Sequence, residues 1–188
     1  VIGMQGVFVD CVQDGDNIRC PGDGGYSQII LFGKPVRVRK DSVVIELMGR
    51  LDELEALSLW GYVETNKQAF KDIAMVATAL NTFLATGDSK WLQPIKELIN
   101  KSCNIEVKSL GWFTPTDKES AMLNLIRVKV REVERTAVKM SRIKKLPQGK
   151  VRELLAVLNQ ASKYIVQLIY ASNVKVYKNV ESKLKDLS

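Results

Sequence analysis

The stretch Ile126–Met140, IRVKVREVERTAVKM, decides the fold. Its apolar members Ile126, Val130, Val133, Ala137 and Met140 recur at i, i+4, i+7, i+11 and i+14, the period of a helix that buries one face. Beside that stripe, Arg127, Arg131, Glu134 and Arg135 fall at i, i+4, i+7 and i+8, a narrow sector flanking the apolar face at about 100° per residue. Two readings of the sector stay open. In a single chain it is a set of surface ion pairs, each contributing about 0.2–0.5 kcal/mol. If identical chains pack along it, the same arginines form a preorganised clamp for a polyanion.

The neighbouring sequence keeps the helical period. Pro147-Gln148-Gly149 is a breaker, and a last helix begins near Lys150 with Val151, Leu154, Leu155, Leu158, Ile165, Leu168 and Ile169 on one face. It weakens at Ser172-Asn173 before a polar tail. Ser109–Pro115 breaks the pattern on the other side, and Thr116 or Asp117 caps the fourth helix, which runs to about Lys145. Three further helices are expected over about 43–63, capped by Ser42, over 66–85, closed by Gly87, and over 89–102. Residues 1–40 differ: they hold most of the glycines, and Val7-Phe8-Val9 and Ile29-Ile30-Leu31-Phe32 are separated by turns at Asp14–Asn17 and Pro21–Gly25. The expectation is an all-α, five-helix bundle over 41–188 preceded by a loop and short-strand segment over 1–40, together one domain.

Composition narrows the function. The 188 residues, 46% apolar and 26% charged, suit an ordinary globular protein with ample chain for a core. There is no histidine, which excludes Ser-His-Asp and Cys-His catalysis, HExxH zinc hydrolysis and imidazole ligation. The chemistry rests on carboxylates, Arg and Lys, hydroxyls and backbone. A net charge of +7 favours an anionic partner. Cys11, Cys20 and Cys103 are odd in number and lack CxxC spacing, and no run of about 18 apolar residues appears, so reduced thiols, with a Cys11–Cys20 disulfide as the alternative, and a soluble cytoplasmic protein with no membrane partner are expected.

Several residues are candidates for the site. Asp52 and Glu53 interrupt an apolar stretch, and Asp52 is a natural partner for one of the arginines across a helix or subunit boundary; its alternative is an exposed acid. Pro21–Ser27 could wrap phosphates with backbone N–H groups, or be a plain hairpin turn, since no GKS or GKT follows. Arg142, Lys144, Lys145, Lys150 and Arg152 surround the last turn without interleaved aromatics, which reads as a solvated bundle end rather than a nucleic-acid surface. Trp60 and Trp91 read as core, whereas Trp112 beside Phe113 lies in an inter-helix loop and could project into a pocket.

Taken in order, these pieces resemble the PduO-type ATP:cob(I)alamin, or corrinoid, adenosyltransferases. The family's T-G-D-x-G loop, S-L-F-G-G and V-x-K-D are matched by Gly22–Gly25, Ile30–Gly33 and Val38–Asp41, and its Y-G-x-x-D-E-L-N by Met48–Glu55. Its R-x-x-x-R-x-x-E-R is matched by Arg127, Arg131, Glu134 and Arg135, and its L-N-R-x-S-D-Y by Leu158–Tyr164. The sequence departs from the family at Gly24, at Thr114–Asp117 and at Gln160.

The resemblance implies a ferritin-like five-helix bundle that forms a homotrimer, with ATP between adjacent subunits and the corrinoid in a neighbouring cavity. It implies that Gly22, Asp23, Gly24, Gly25, Ser27 and Lys40 hold triphosphate, that Arg131 and Glu134 orient ATP, and that Asn159 contacts the nucleotide. Asp52 would pair with Arg127 at the subunit boundary, so that Arg131, Asp52 and Arg127 form the catalytic set. Trp112 and Phe113 would close the lower face of the corrin. ATP, Mg²⁺ carried with it and cobalamin are the implied ligands. A cob(II)alamin reductase and a B12-dependent acceptor enzyme are the implied partners. The alternative is a catalytically altered paralogue, or a non-enzymatic basic bundle that binds nucleotide, corrinoid or nucleic acid.

Overall fold

The computed structural model describes residues 11–102 and 111–188; Val7-Phe8-Val9, Cys103 and Ser109-Leu110 lie outside the described residues. Four helices form the core: α1 (Val43–Thr65), α2 (Gln68–Thr86), α4 (Lys118–Ser141) and α5 (Gln148–Ala171). A 3₁₀ turn over Ser89–Leu92 leads into the shorter α3 (Gln93–Ser102), which packs on α2 and α5. Every member of the Ile126–Met140 stripe is buried, together with Leu47, Leu51 and Leu54 of α1, Phe70, Leu80 and Phe83 of α2, and Leu154, Leu158 and Ile165 of α5.

Local chemistry sets the helix ends. Ser42 accepts from the Ile45 N–H, and Asp117 and Ser120 form a reciprocal capping box at the start of α4. Helix α4 stops at Ser141 rather than Lys145. Residues 142–147 are a turn because the residue before Pro147 is biased away from helical backbone. Between α1 and α2 the packing is close: a Cβ on Gly61 would stand 2.4 Å from the Phe70 ring. α1 and α4 run antiparallel and are stitched by Arg50–Glu132 at 2.7 Å, Lys129–Glu53 at 2.7 Å and Lys118–Glu64 at 2.9 Å.

Ahead of the bundle lie two antiparallel hairpins, β1 (Val12–Asp14) with β2 (Asn17–Arg19), and β3 (Tyr26–Leu31) with β4 (Lys34–Arg39). The second turns through Phe32 and Gly33, both at positive φ (48° and 78°), and is held on the end of α2 by the Phe32 N–H to Leu84 carbonyl bond at 2.6 Å and the Gly33 N–H to Ala85 carbonyl bond at 2.7 Å. The Phe32 ring meets Phe83 edge-on at 6.0 Å, which offsets the cost of a bulky residue in left-handed backbone.

Three expectations are corrected. Cys11 and Cys20 are disulfide-bonded rather than reduced. The polar tail is structured: β6 (Val174–Tyr177) pairs antiparallel with β5 (Trp112–Pro115), and α6 (Val180–Leu187) follows, so the described chain has small sheets and a sixth α-helix beyond the five expected. Trp60 and Trp91 are not core residues; they are 51% and 38% exposed. No described helix is long and apolar enough to cross a membrane.

Candidate functional site

The glycine-rich segment closes on itself. The Asp23 carboxylate accepts from the Cys20 N–H at 2.7 Å, the Gly25 N–H donates to the Gly22 carbonyl at 3.0 Å, and the Lys40 N–H donates to the Gly25 carbonyl at 2.9 Å. Gly22 has φ +95°, and a Cβ there would lie 3.1 Å from Lys40 Nζ; glycine therefore lets the Lys40 ammonium lie across the loop. The result is a cleft of about 760 Å³ lined by Gly22, Gly24, Ser27, Arg37 and Lys40. Its lining is cationic and contains no carboxylate. Asp23 and Gly25 shape the loop from within instead of lining the cleft, because their polar groups are spent on its own turns.

A second cleft, about 580 Å³, opens between α4 and α5 beside the end of α3. It gathers Arg131 and Glu134 with Asn159, Gln160 and Lys163. Tyr164 lies in its lining, largely buried, and burial pushes the phenol up to about 12, so it stays neutral. Among the described residues, Arg131, Glu134 and Arg135 form no ion pair. The surface-ion-pair reading of this sector is therefore not what the fold realises; those pairs belong to the adjacent face of Arg50, Glu53, Lys129 and Glu132.

Arg127 is half-buried. Its Nε donates to Asn124 Oδ1 at 3.0 Å, and its guanidinium stands 5.6 Å from the Phe113 ring centroid. Burial first, and then the charge of Arg131, hold its pKa below the ordinary arginine value. This is a cation with a like-charged neighbour and no carboxylate within ion-pair distance among the described residues, an arrangement that can accept an anion. Asp52 does not supply that anion within one chain. It is exposed, and its Oδ1 accepts from Asn81 Nδ2 at 2.6 Å.

Trp112 lies on strand β5, not in a loop, and is 55% exposed. Phe113 beside it is held from three sides. Tyr170 meets its ring edge-on at 5.4 Å, Arg127 stands over it, and the Lys183 ammonium donates to its carbonyl at 2.6 Å. The Tyr170 hydroxyl also donates to the Gly111 carbonyl at 2.5 Å. Sequence reasoning missed Tyr170, Lys183, Arg37 and Asn81. The alternation Val174-Lys175-Val176-Tyr177 was the available signal for the strand that brings Lys183 here. The two clefts share no lining residue, so one chain brings Gly22, Gly24, Ser27 and Lys40 together, and separately Arg131, Glu134 and Asn159.

Helices α1 and α4 also carry exposed apolar side chains. On α1, Asp52, Ala56, Leu59, Trp60 and Val63 fall in one exposed sector; on α4, Leu125, Val128 and Val138 are exposed alongside Arg131 and Arg135.

Comparison with known proteins follows the same lines. The family model described as Cobalamin adenosyltransferase matches residues 18–171. No curated protein sequence matches significantly. Among solved structures, the fold is similar to two variants of the PduO-type ATP:corrinoid adenosyltransferase from Lactobacillus reuteri complexed with cobalamin and ATP. One gives a TM-score of 0.63 at 18% identity over 84% of this chain and 97% of that chain, the other 0.62 at 19% over 84% and 94%. A third variant of that protein, complexed with ATP, gives 0.59 at 17% over 84% and 97%.

Proposed function

This chain belongs to the cobalamin adenosyltransferase family, and from that premise we propose that it transfers the 5′-deoxyadenosyl group of ATP to cob(I)alamin. The Co(I) electron pair forms the bond to the ATP 5′ carbon, the C5′–O bond breaks, and triphosphate leaves with the released pair. No proton transfer is needed, which suits a site built without a general base. The protein's part is orientation and charge: Lys40, Gly22, Gly24 and Ser27 with Arg37 hold the triphosphate, while Arg131, Glu134 and Asn159 fix the nucleotide. Mg²⁺ would come with the triphosphate, held mainly by phosphate oxygens and water.

The observation that carries this reading is the half-buried Arg127 beside Arg131, two cations with no carboxylate at ion-pair distance among the described residues. We place Asp52 of an adjacent subunit against Arg127 in a homotrimer whose seam is the exposed Leu59, Trp60 and Val63 face. The loop cleft of one subunit would then meet the α4/α5 cleft of the next. Trp112 and Phe113 are assigned to the corrin face, and the reaction to the cytoplasm. Purified protein mixed with Mg-ATP and chemically reduced cobalamin should give the absorbance change of adenosylcobalamin formation. Arg131→Ala should lower kcat/KM by about 10²-fold or more, the scale of a lost charge-stabilising group. Absence of any spectral change with the unmodified protein would overturn the assignment.

A further inference from the structure

The basic turn between α4 and α5 has no part in this chemistry, yet the fold builds a cleft there. About 500 Å³ in volume, it lies between the β3–β4 turn, the end of α2 and the start of α5. Its apolar wall is Phe32, Val36, Leu146 and Pro147, and its rim carries Lys34, Lys145 and Lys150. No acidic residue lines it.

Four features mark this cleft as built rather than incidental. Its wall holds a phenylalanine in left-handed backbone, a conformation that costs about 1 kcal/mol or more and persists only where the surroundings enforce it. Backbone meets backbone closely on both sides: a Cβ on Gly33 would lie 3.1 Å from the Thr86 carbonyl oxygen, and one on Gly87 3.2 Å from the Phe32 Cα. Helix α5 begins at its edge without a side-chain cap, leaving first-turn N–H groups toward the same end. Finally, Lys34 and Lys145 have no carboxylate within ion-pair distance among the described residues, whereas Lys150 bonds Ser89 Oγ at 2.8 Å and approaches Glu153 at 3.7 Å.

We propose that this cleft docks an acidic segment of a partner protein, with one large apolar side chain seated against Phe32, Val36 and Leu146 and flanking carboxylates on Lys34 and Lys145. The apolar wall disfavours a sugar-phosphate backbone. A single small anion would leave unused the positive surface that Arg142 and Lys144, both exposed, extend along the turn. A chain with several carboxylates matches the whole surface, and an apolar anchor matches the cleft.

The inference is independent of adenosyl transfer. Its test is fluorescence anisotropy of the full chain with a labelled peptide of glutamates around one central phenylalanine. Saturable binding is expected, weakened about tenfold or more by replacing the phenylalanine with glutamate, and by the exposed double substitution Lys34→Glu with Lys145→Glu. The double variant should instead bind the lysine-flanked version of the peptide, which shows that it is folded. Equal binding of the all-glutamate peptide would reduce the surface to unspecific charge and overturn the proposal. So would indifference to the double substitution, or tighter binding of a single-stranded oligonucleotide that displaces the peptide.

Discussion

The Asp117 carboxylate accepts from the Ser120 N–H at 2.8 Å, from Ser120 Oγ at 2.7 Å and from Asn173 Nδ2 at 2.7 Å, so a single side chain starts α4 and ties the end of α5 to it. The Ser120 backbone bond, then Ser120 Oγ and Asn173, hold its pKa below the ordinary carboxylate value. Asp117→Ala should cost about 1–2 kcal/mol in urea unfolding at neutral pH. Because the folded pKa is the lower one, this contribution is complete above the unfolded value of about 3.9 and is lost as pH falls through the folded pKa. Unfolding curves of the two proteins should therefore converge in acid; a constant gap would show that the carboxylate's charge is not what stabilises the cap. Caps of this kind were legible in the sequence because their chemistry spans three residues. The positions of Trp60 and Trp91 were not, because a helical period shows that a tryptophan lies near an apolar face without showing whether a neighbouring helix covers it.

The five bundle helices were readable from their periodicity to within a few residues, since burial of one face dictates it. The β5–β6 pair was not, because the partners are about sixty residues apart and each is short; a strand of four residues means little until its partner is known. Strand β6 and α6 form an arm beyond the family match at residue 171, held together by the Lys175–Asp186 and Tyr177–Asp186 contacts and anchored to β5 by the strand pairing and by Lys183 on the Phe113 carbonyl. A close approach confirms the fit: a Cβ on Gly111 would stand 2.7 Å from the Tyr177 carbonyl oxygen. Removing residues 174–188 should raise the KM for corrinoid about fivefold or more, with Lys183→Ala intermediate, while the helical melting curve moves little. An unchanged KM in steady-state assays would show that the arm does not hold the aromatic pair.

The candidate site was legible as two lists of residues but not as a place, since the Gly22–Lys40 loop and the Arg131–Asn159 helices line separate clefts in one chain. Sequence alone carries no distance between such lists; in the proposed homotrimer an interface between copies would supply it. The exposed Leu59, Trp60, Val63, Leu125 and Val128 would provide apolar surface for that proposed association. Val63→Glu, at the most exposed of these positions, should convert the assembly to monomers by light scattering and abolish turnover, with helix content preserved. A monomeric starting protein would remove the premise. The separation of the two clefts also has a consequence for mixtures of defective chains. In the proposed homotrimer two impaired chains, Lys40→Ala and Arg131→Ala, damage opposite halves of a seam, so co-refolding them in equal amounts should regenerate intact seams at roughly a quarter of positions by random mixing. The mixture would then show turnover that neither chain has alone.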